Sequence, residues 1–420
     1  MNYKVVGVDE ESRFPPRVEA RLSTTIDGKI AAIPAQSYAN TMVLFGDSWE
    51  YYNFGDPTHP TRPSFASRGY AANGNVLLGH RLTLTNKGVG GEDTLALLAR
   101  ASTDLAGVAA GWAMIGSGTN DISNARTFNQ ITQNLTALYD IAVDSGKRVV
   151  GRTIPPRTSA TTDQKALRAQ VNAWIRSQAY LRPGFVLLDI EQAVISQTAN
   201  DFVAGYSYDG VHLANPGAIA AGREFARVLS PLLPAVPVVL SGSDPRNMLK
   251  DNGGSFSGAA GVVPTGWVAT GWSQGAPVYS KVARTDGIAG NWQQIVVPTD
   301  SRGFLRSITL QQSLAEFAPG DVVHAAVEFQ VENLEVAPTP ATQALYISLD
   351  YYDGATYSYR YDLEYNAAEN ENEGTAPRSG VLLTVPFTLP AGTTGQTLSM
   401  TLQARCGGTY RFARASMFKV

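Results

Sequence analysis

The chain has very little sulfur and few ionisable side chains of the kind that hold metals. Cys406 is the single cysteine in 420 residues; it closes no internal disulfide and has no second thiol beside it, so oxidative folding is not required. The four histidines, His59, His80, His212 and His324, are scattered and form no His-x-x-x-His pair, so neither a metal nor another cofactor is expected. Charged residues make up 16% of the chain, the formal net charge is -3, and no Lys/Arg run occurs, which argues against nucleic acid as a partner. No apolar run approaches the length of a bilayer span. The opening "MNYKVVGVDEESRFPP" reaches charge too soon for the apolar stretch of a secretory signal. A soluble chain is expected, which would act outside a cell only after lysis, within a particle or by another route.

Glycine and proline, at 40 and 23 residues, are what the chain has in quantity, and they promise many turns. Its length favours two domains. Residues 1 to 40 show no sustained helical period and read as an extended arm, either an extension packed on the following domain or a segment for oligomerisation or virion attachment. From 41 to 235, apolar strands at 42–45, 82–86, 112–118, 148–154 and 185–190 alternate with helical stretches at 93–103, 128–146 and 161–181. That alternation predicts a parallel sheet covered on both faces, an α/β domain. Its last helix is expected to start with Asn215 as N-cap and Pro216 in the first turn. A proline-rich linker follows, placed at 236–245. Beyond it, β-prone segments at 321–336, 344–354, 356–365 and 380–390 predict an all-β antiparallel sandwich or jelly roll over 246–420.

The stretch "MVLFGDSWE" (41–49) runs a buried strand into a tight turn and leaves Ser48 at the rim of the sheet, where ligands of α/β proteins bind. A serine hydroxyl needs a base, and the base needs an orienting group. His59 lies in a proline-rich loop, His80 beside the second strand, and His324 at an outward position of a sandwich strand. His212 alone has suitable company: "YDGVHLANPG" sets Asp209 three residues before it, in the loop preceding the last helix. Acyl transfer also needs donors for the oxyanion. "TNKGVGGEDT" offers backbone N–H groups at Gly88, Gly90 and Gly91, and "GSGTNDI" offers the Asn120 side chain; by themselves such glycines also simply make turns and such Asn-Asp pairs cap helices. "NKGVGG" lacks the Gly-Lys-Ser/Thr ending of a phosphate-binding loop.

Four stretches, "FGDS", "NKGVGG", "GTND" and "DGVH", occur in order, at strand ends or before the last helix. The set resembles the SGNH hydrolases, also called GDSL esterases, over residues 41 to 235. The resemblance implies a flavodoxin-like three-layer α/β/α domain with a parallel five-stranded sheet. It also implies Ser48 as nucleophile, His212 as base then acid, Asp209 as its carboxylate, and an oxyanion hole from the Ser48 and Gly91 N–H groups with the Asn120 side chain. Asp47 would be structural.

Trp49, Tyr51, Tyr52 and Phe54 follow the serine directly and would either wall the substrate site or pack the adjoining helix. The C-terminal part loosely resembles carbohydrate-binding jelly rolls, in which a glycine-rich, tryptophan-bearing first strand pairs with the last. Tyr357, Tyr359 and Tyr361 would share one strand face, as a glycan platform, a core or a subunit interface. This layout is similar to bacteriophage tail proteins that deacetylate surface glycans. The expectation is therefore an esterase that removes acyl groups, O-acetyl above all, from a polysaccharide. The alternatives are a lipase or thioesterase on small acyl esters and a non-catalytic adhesin on a hydrolase scaffold.

Overall fold

In the computed structural model the apolar run after residue 40 becomes an interior strand of a five-stranded parallel sheet. The structure describes residues 38–54, 64–235, 239, 244–249, 267–271, 277–288, 290–297, 306–313, 318–334, 345–352, 357–364, 377–384, 386–389, 397–404 and 407–419. Expectations for residues 1 to 37, for His59 and Cys406, and for the side chains of Tyr357, Tyr359 and Tyr361 lie outside the described residues.

The strands of the first part are β1 (Thr41–Gly46), β2 (Ser64–Ala66), β3 (Thr83–Gly88), β4 (Trp112–Gly116), β5 (Arg148–Arg152) and β6 (Val186–Leu188). The main sheet has the order β3-β1-β4-β5-β6, with parallel pairing throughout. Its helices are α1 (Ser48–Tyr51), α2 (Tyr70–Leu77), α3 (Thr94–Ala101), α4 (Thr119–Ser123), α5 (Phe128–Asp144), α6 (Thr162–Leu181), α7 (Ile190–Val194) and α8 (Asn215–Leu229). Alternate residues of β1 enter opposite cores, as a strand's period of two requires. Met42 and Leu44 join Tyr70 and Phe225, while Val43 and Phe45 join Leu97, Leu138 and Tyr139. This is why β1 reads as a continuous apolar run: both of its faces are covered. α5 and α6 each open with a reciprocal capping box, Thr127 with Gln130 and Thr161 with Gln164. α8 departs from expectation by one residue. Ala214 is the extended N-cap and Asn215 lies already inside the helix, making no cap bond.

A short pair follows, β7 (Ile195–Ser196) with β8 (Asp201–Phe202). The later strands are β9 (Val268–Gly271), β10 (Val278–Ala283), β11 (Asn291–Val297), β12 (Arg306–Ser313), β13 (Val322–Glu332), β14 (Leu345–Tyr352), β15 (Tyr357–Glu364), β16 (Arg378–Leu383), β17 (Phe387–Thr388), β18 (Thr397–Ala404) and β19 (Gly408–Lys419). One sheet orders them β10-β11-β19-β13-β16 with β17 also on β13; the other runs β2-β15-β14-β18-β12-β9. Leu345 and Ile347 of the second sheet share a core with Val323, Phe329 and Phe412 of the first. The tryptophan-bearing segment does not pair with the last strand as expected: β9, directly after Trp267, pairs with β12. The opening residues 247–249 make that contact instead, with the Met248 N–H donating to the Met417 carbonyl at 2.8 Å. His324 is not outward either. It is 9% exposed, its ring 3.8 Å from that of Phe418, because β13 is covered along that stretch; burial, then nearby His80, hold its imidazole down at about 4.

The two halves are joined more deeply than a linker would suggest. β2, which belongs to the segment after the serine, adds in parallel to β15, with Ser64 opposite Tyr361 and Ala66 opposite Glu364. α2 then lies between the halves: Tyr70 belongs to the core of the parallel sheet, Ala72 and Val76 to that of the antiparallel sheets. Its neighbours come so close that a Cβ at Gly380 would stand 2.4 Å from the Val76 carbonyl oxygen. Gly380→Val forces two backbones apart and is expected to destabilise the protein by about 1–3 kcal/mol. Calorimetry should show the melting of the whole chain shifted down; an unchanged melting temperature would contradict the close packing of α2 on β16.

Candidate active site

The turn after β1 is built from buried polar side chains. Asp47 caps α1, its Oδ1 accepting the Trp49 N–H at 2.9 Å, so the chain reverses at the sheet rim and Ser48 becomes the first helical residue. The Ser48 N–H is then one of the first-turn donors that have no acceptor within the helix. Asn53, wholly buried, closes the other end of α1: its Nδ2 donates to the Trp49 and Glu50 carbonyls, and its Oδ1 accepts the N–H groups of Ala71 and Ala72 at 2.7 and 3.2 Å. Beneath the turn lies an ionic cluster. The Arg152 Nε donates to Glu50 at 2.8 Å, its Nη2 to Asp47 at 3.3 Å, and the Tyr70 hydroxyl to Glu50 at 2.8 Å.

The Ser48 Oγ is 2.8 Å from the His212 Nε2, and the His212 Nδ1 is 2.6 Å from the Asp209 Oδ2. An ionised carboxylate only accepts, so Nδ1 carries the proton and leaves the neutral Nε2 to accept from the serine. The other Asp209 oxygen accepts the Val211 and His212 N–H groups at 2.8 and 2.7 Å, which holds the loop as a local turn around its own carboxylate. Burial raises the Asp209 pKa, but the His212 N–H, the His212 ring and the Val211 N–H outweigh it and keep the carboxyl below its ordinary value. The imidazole sits between two tyrosines, with Tyr52 edge-on at 5.0 Å and Tyr208 stacked at 6.0 Å between ring centres.

The glycine loop after β3 passes directly beside the serine. A Cβ at Gly88 would meet the Tyr51 nitrogen at 2.2 Å, so only glycine allows this approach. Gly91 has φ +83°, the left-handed region. The Asn120 amide donates to the Glu92 carbonyl at 2.8 Å, which fixes one of its two N–H bonds against the same loop. Fully buried Asp121 accepts from the Thr94 N–H and hydroxyl, tying α4 to the start of α3.

Of the aromatic residues after the serine, Trp49 is a packing residue. It is 4% exposed, its indole N–H donates to the Val211 carbonyl at 3.1 Å, and its ring stacks on Phe202. Tyr51 and Tyr52 are both half-buried. Glu50, Asn53 and Arg152 went unnoticed in the sequence. The only signal for them is indirect: polar residues inside a strand-turn-helix that must be buried.

Residues 44–218 match the model of the GDSL-like Lipase/Acylhydrolase family. Among solved structures, a G-D-S-L family protein from Desulfitobacterium hafniense DCB-2 is 19% identical with a TM-score of 0.38, over 45% of this chain and 99% of that one. A GDSL-like lipase from Bacteroides thetaiotaomicron VPI-5482 is 16% identical with a TM-score of 0.35, over 51% and 99%. An acetyl-xylooligosaccharide esterase from Geobacillus Stearmophilus, in mutant form, is 19% identical with a TM-score of 0.37, over 45% and 93%. No curated protein sequence matches the chain. Among the described residues, no helix is long and apolar enough to cross a membrane.

The buried cluster makes a pH prediction. Burial raises the Asp47 pKa from 3.8 to about 7; Arg152 opposes the rise and Glu50 adds to it. Because the folded value lies above the unfolded one, the native state binds this proton more tightly, and the stabilisation is lost as pH rises through about 7. Asp47→Asn keeps the capping oxygen and cannot ionise. It is expected to abolish a loss on the order of 1 kcal/mol between about pH 6 and pH 8. Thermal denaturation across that range checks it: parallel curves for the two proteins would show that Asp47 does not titrate there.

Proposed function

We propose that this chain is a serine ester hydrolase that removes acyl groups, O-acetyl in particular, from a polysaccharide. The observation that carries the reading is the continuous relay from the Ser48 hydroxyl through His212 to Asp209. As Ser48 attacks the ester carbonyl, His212 takes the hydroxyl proton and Asp209 stabilises the imidazolium that forms. In this reading the Ser48 N–H, at the start of α1, the Gly91 N–H and the Asn120 amide are the donors to the developing oxyanion. As the bond to the sugar oxygen breaks, His212 gives its proton to the departing alkoxide, which leaves as the sugar hydroxyl, and the acyl group stays on Ser48. Water, deprotonated by His212, attacks that ester, and the acid leaves as Ser48 recovers its proton.

The half-buried tyrosines beside His212 support a sugar substrate, since an aromatic face suits the apolar side of a pyranose. Hydrolysis of 4-nitrophenyl acetate tests the mechanism. Ser48→Ala and His212→Ala are each expected to lower kcat/KM about 10³-fold or more, and Asn120→Ala about 10²-fold. Wild-type rates in Ser48→Ala would end the reading. Release of acetate in preference to longer acids, from matched 4-nitrophenyl esters, separates a deacetylase from a lipase or thioesterase.

A further inference from the structure

Ser48 and His212 come from separate parts of the chain, and each has a tyrosine bonded to its backbone. Tyr52 belongs to the nucleophile's side: it closes α1, its N–H donating to the Ser48 carbonyl at 3.0 Å. Tyr208 belongs to the base's side, its N–H donating to the His212 carbonyl at 3.3 Å. Both rings also meet the imidazole itself, Tyr52 edge-on and Tyr208 stacked.

Arg68 joins the two tyrosines. Its guanidinium lies 3.7 Å over the centre of the Tyr52 ring, and its Nη1 donates to the Tyr208 hydroxyl at 3.2 Å. A guanidinium can do both at once, since its flat face attracts a ring while its N–H groups donate at the edge. Backbone packing fixes where it stands. Two residues earlier the Ala66 N–H donates to the Asn53 carbonyl at 3.0 Å, and one residue later a Cβ at Gly69 would stand 2.5 Å from the Asn53 Cα. Only glycine lets the chain pass so close to the end of α1. Ala66 also ends β2, opposite Glu364 of β15. Arg68 is thus set by the nucleophile's helix on one side and by the antiparallel sheet on the other.

We propose that Arg68 is a positioning residue for the proton relay: it ties Tyr52 to Tyr208 and so keeps the His212 ring turned toward the Ser48 Oγ. The proposal rests on the esterase reading above. Arg68 acts through the two rings and not on the ester. The need for it is geometric. Asp209 holds the imidazole at Nδ1, and a ring held at one nitrogen can still swing its Nε2 away from the serine. Tyr52 and Tyr208 limit that swing, and Arg68 keeps them from parting. A misplacement of about 1 Å in such a contact can cost on the order of 10²-fold in rate.

The test follows 4-nitrophenyl acetate hydrolysis in the full chain, with rates expressed per Ser48 that diisopropyl fluorophosphate labels, so that misfolded protein does not count. Arg68→Gln is expected to lower kcat roughly 10- to 100-fold while KM changes less than about twofold, the mark of geometry lost in the transition state and not of binding lost. Arg68→Lys keeps a cation for the Tyr52 ring and is expected to recover part of the loss. Tyr208→Phe deletes only the hydroxyl and is expected to lower kcat by a smaller factor. Added to Arg68→Gln it should cost nothing more, because the bond it removes is already gone. An unaltered kcat in Arg68→Gln, a loss carried by KM, or losses that multiply in the double variant would overturn the proposal. Failure of the underlying reading looks different: wild-type protein would leave the ester intact, or Ser48→Ala would cleave it equally well, and the proposal would fall with it.

Discussion

Ser48 and His212 lie 164 positions apart in the chain and 2.8 Å apart in space, and every other feature of the site serves to keep them so. A hydroxyl and an imidazole at this distance gain little from one hydrogen bond, about 1 kcal/mol net. The bond therefore cannot hold the fold together; the fold has to hold the bond. On one side this falls to β1, whose apolar residues anchor in both cores and whose end is capped by Asp47. On the other it falls to the Asp209 turn, which closes on its own backbone before its second oxygen reaches the ring.

The buried cluster of Asp47, Glu50, Arg152 and Tyr70 gives that turn its rigidity at an electrostatic cost. One guanidinium faces two carboxylates in a place water does not reach, so one carboxylate is driven toward its neutral form. The arrangement sets Glu50, Arg152 and Tyr70 as a fixed floor under α1. It leaves the serine at the surface of that floor rather than within it.

Much of this was legible in the amino-acid sequence, because it is written in local pattern. The apolar runs ending on glycine marked the strands of the parallel sheet, and the capping residues marked α5 and α6. The serine, histidine and aspartate that the structure brings together lay in short, ordered motifs. What was not legible depends on burial and long-range pairing. Arg152 sits in a strand as any surface arginine might, and only its partner at Glu50 explains it. Trp49 stood among aromatics that all looked available to a ligand, yet the Val211 carbonyl and Phe202 claim it for the core. His324 obeyed the alternation of an outward residue and is covered. The sharing of α2 between two cores had no signature, because Ala72 and Val76 carry no sign of which sheet they will meet.

That sharing changes how the C-terminal sheets are viewed. They are packed on the helix that follows the site's own loop, and they take β2 as one of their strands. Arg68, two residues beyond β2, inherits its position from both halves. The central claim remains the activation of a single hydroxyl, and covalent trapping measures it most directly. Intact-protein and peptide mass spectrometry after reaction with diisopropyl fluorophosphate should find one adduct, on Ser48, formed far more slowly in His212→Ala. An adduct on another residue, or one on Ser48 at the same rate without the imidazole, would contradict the account.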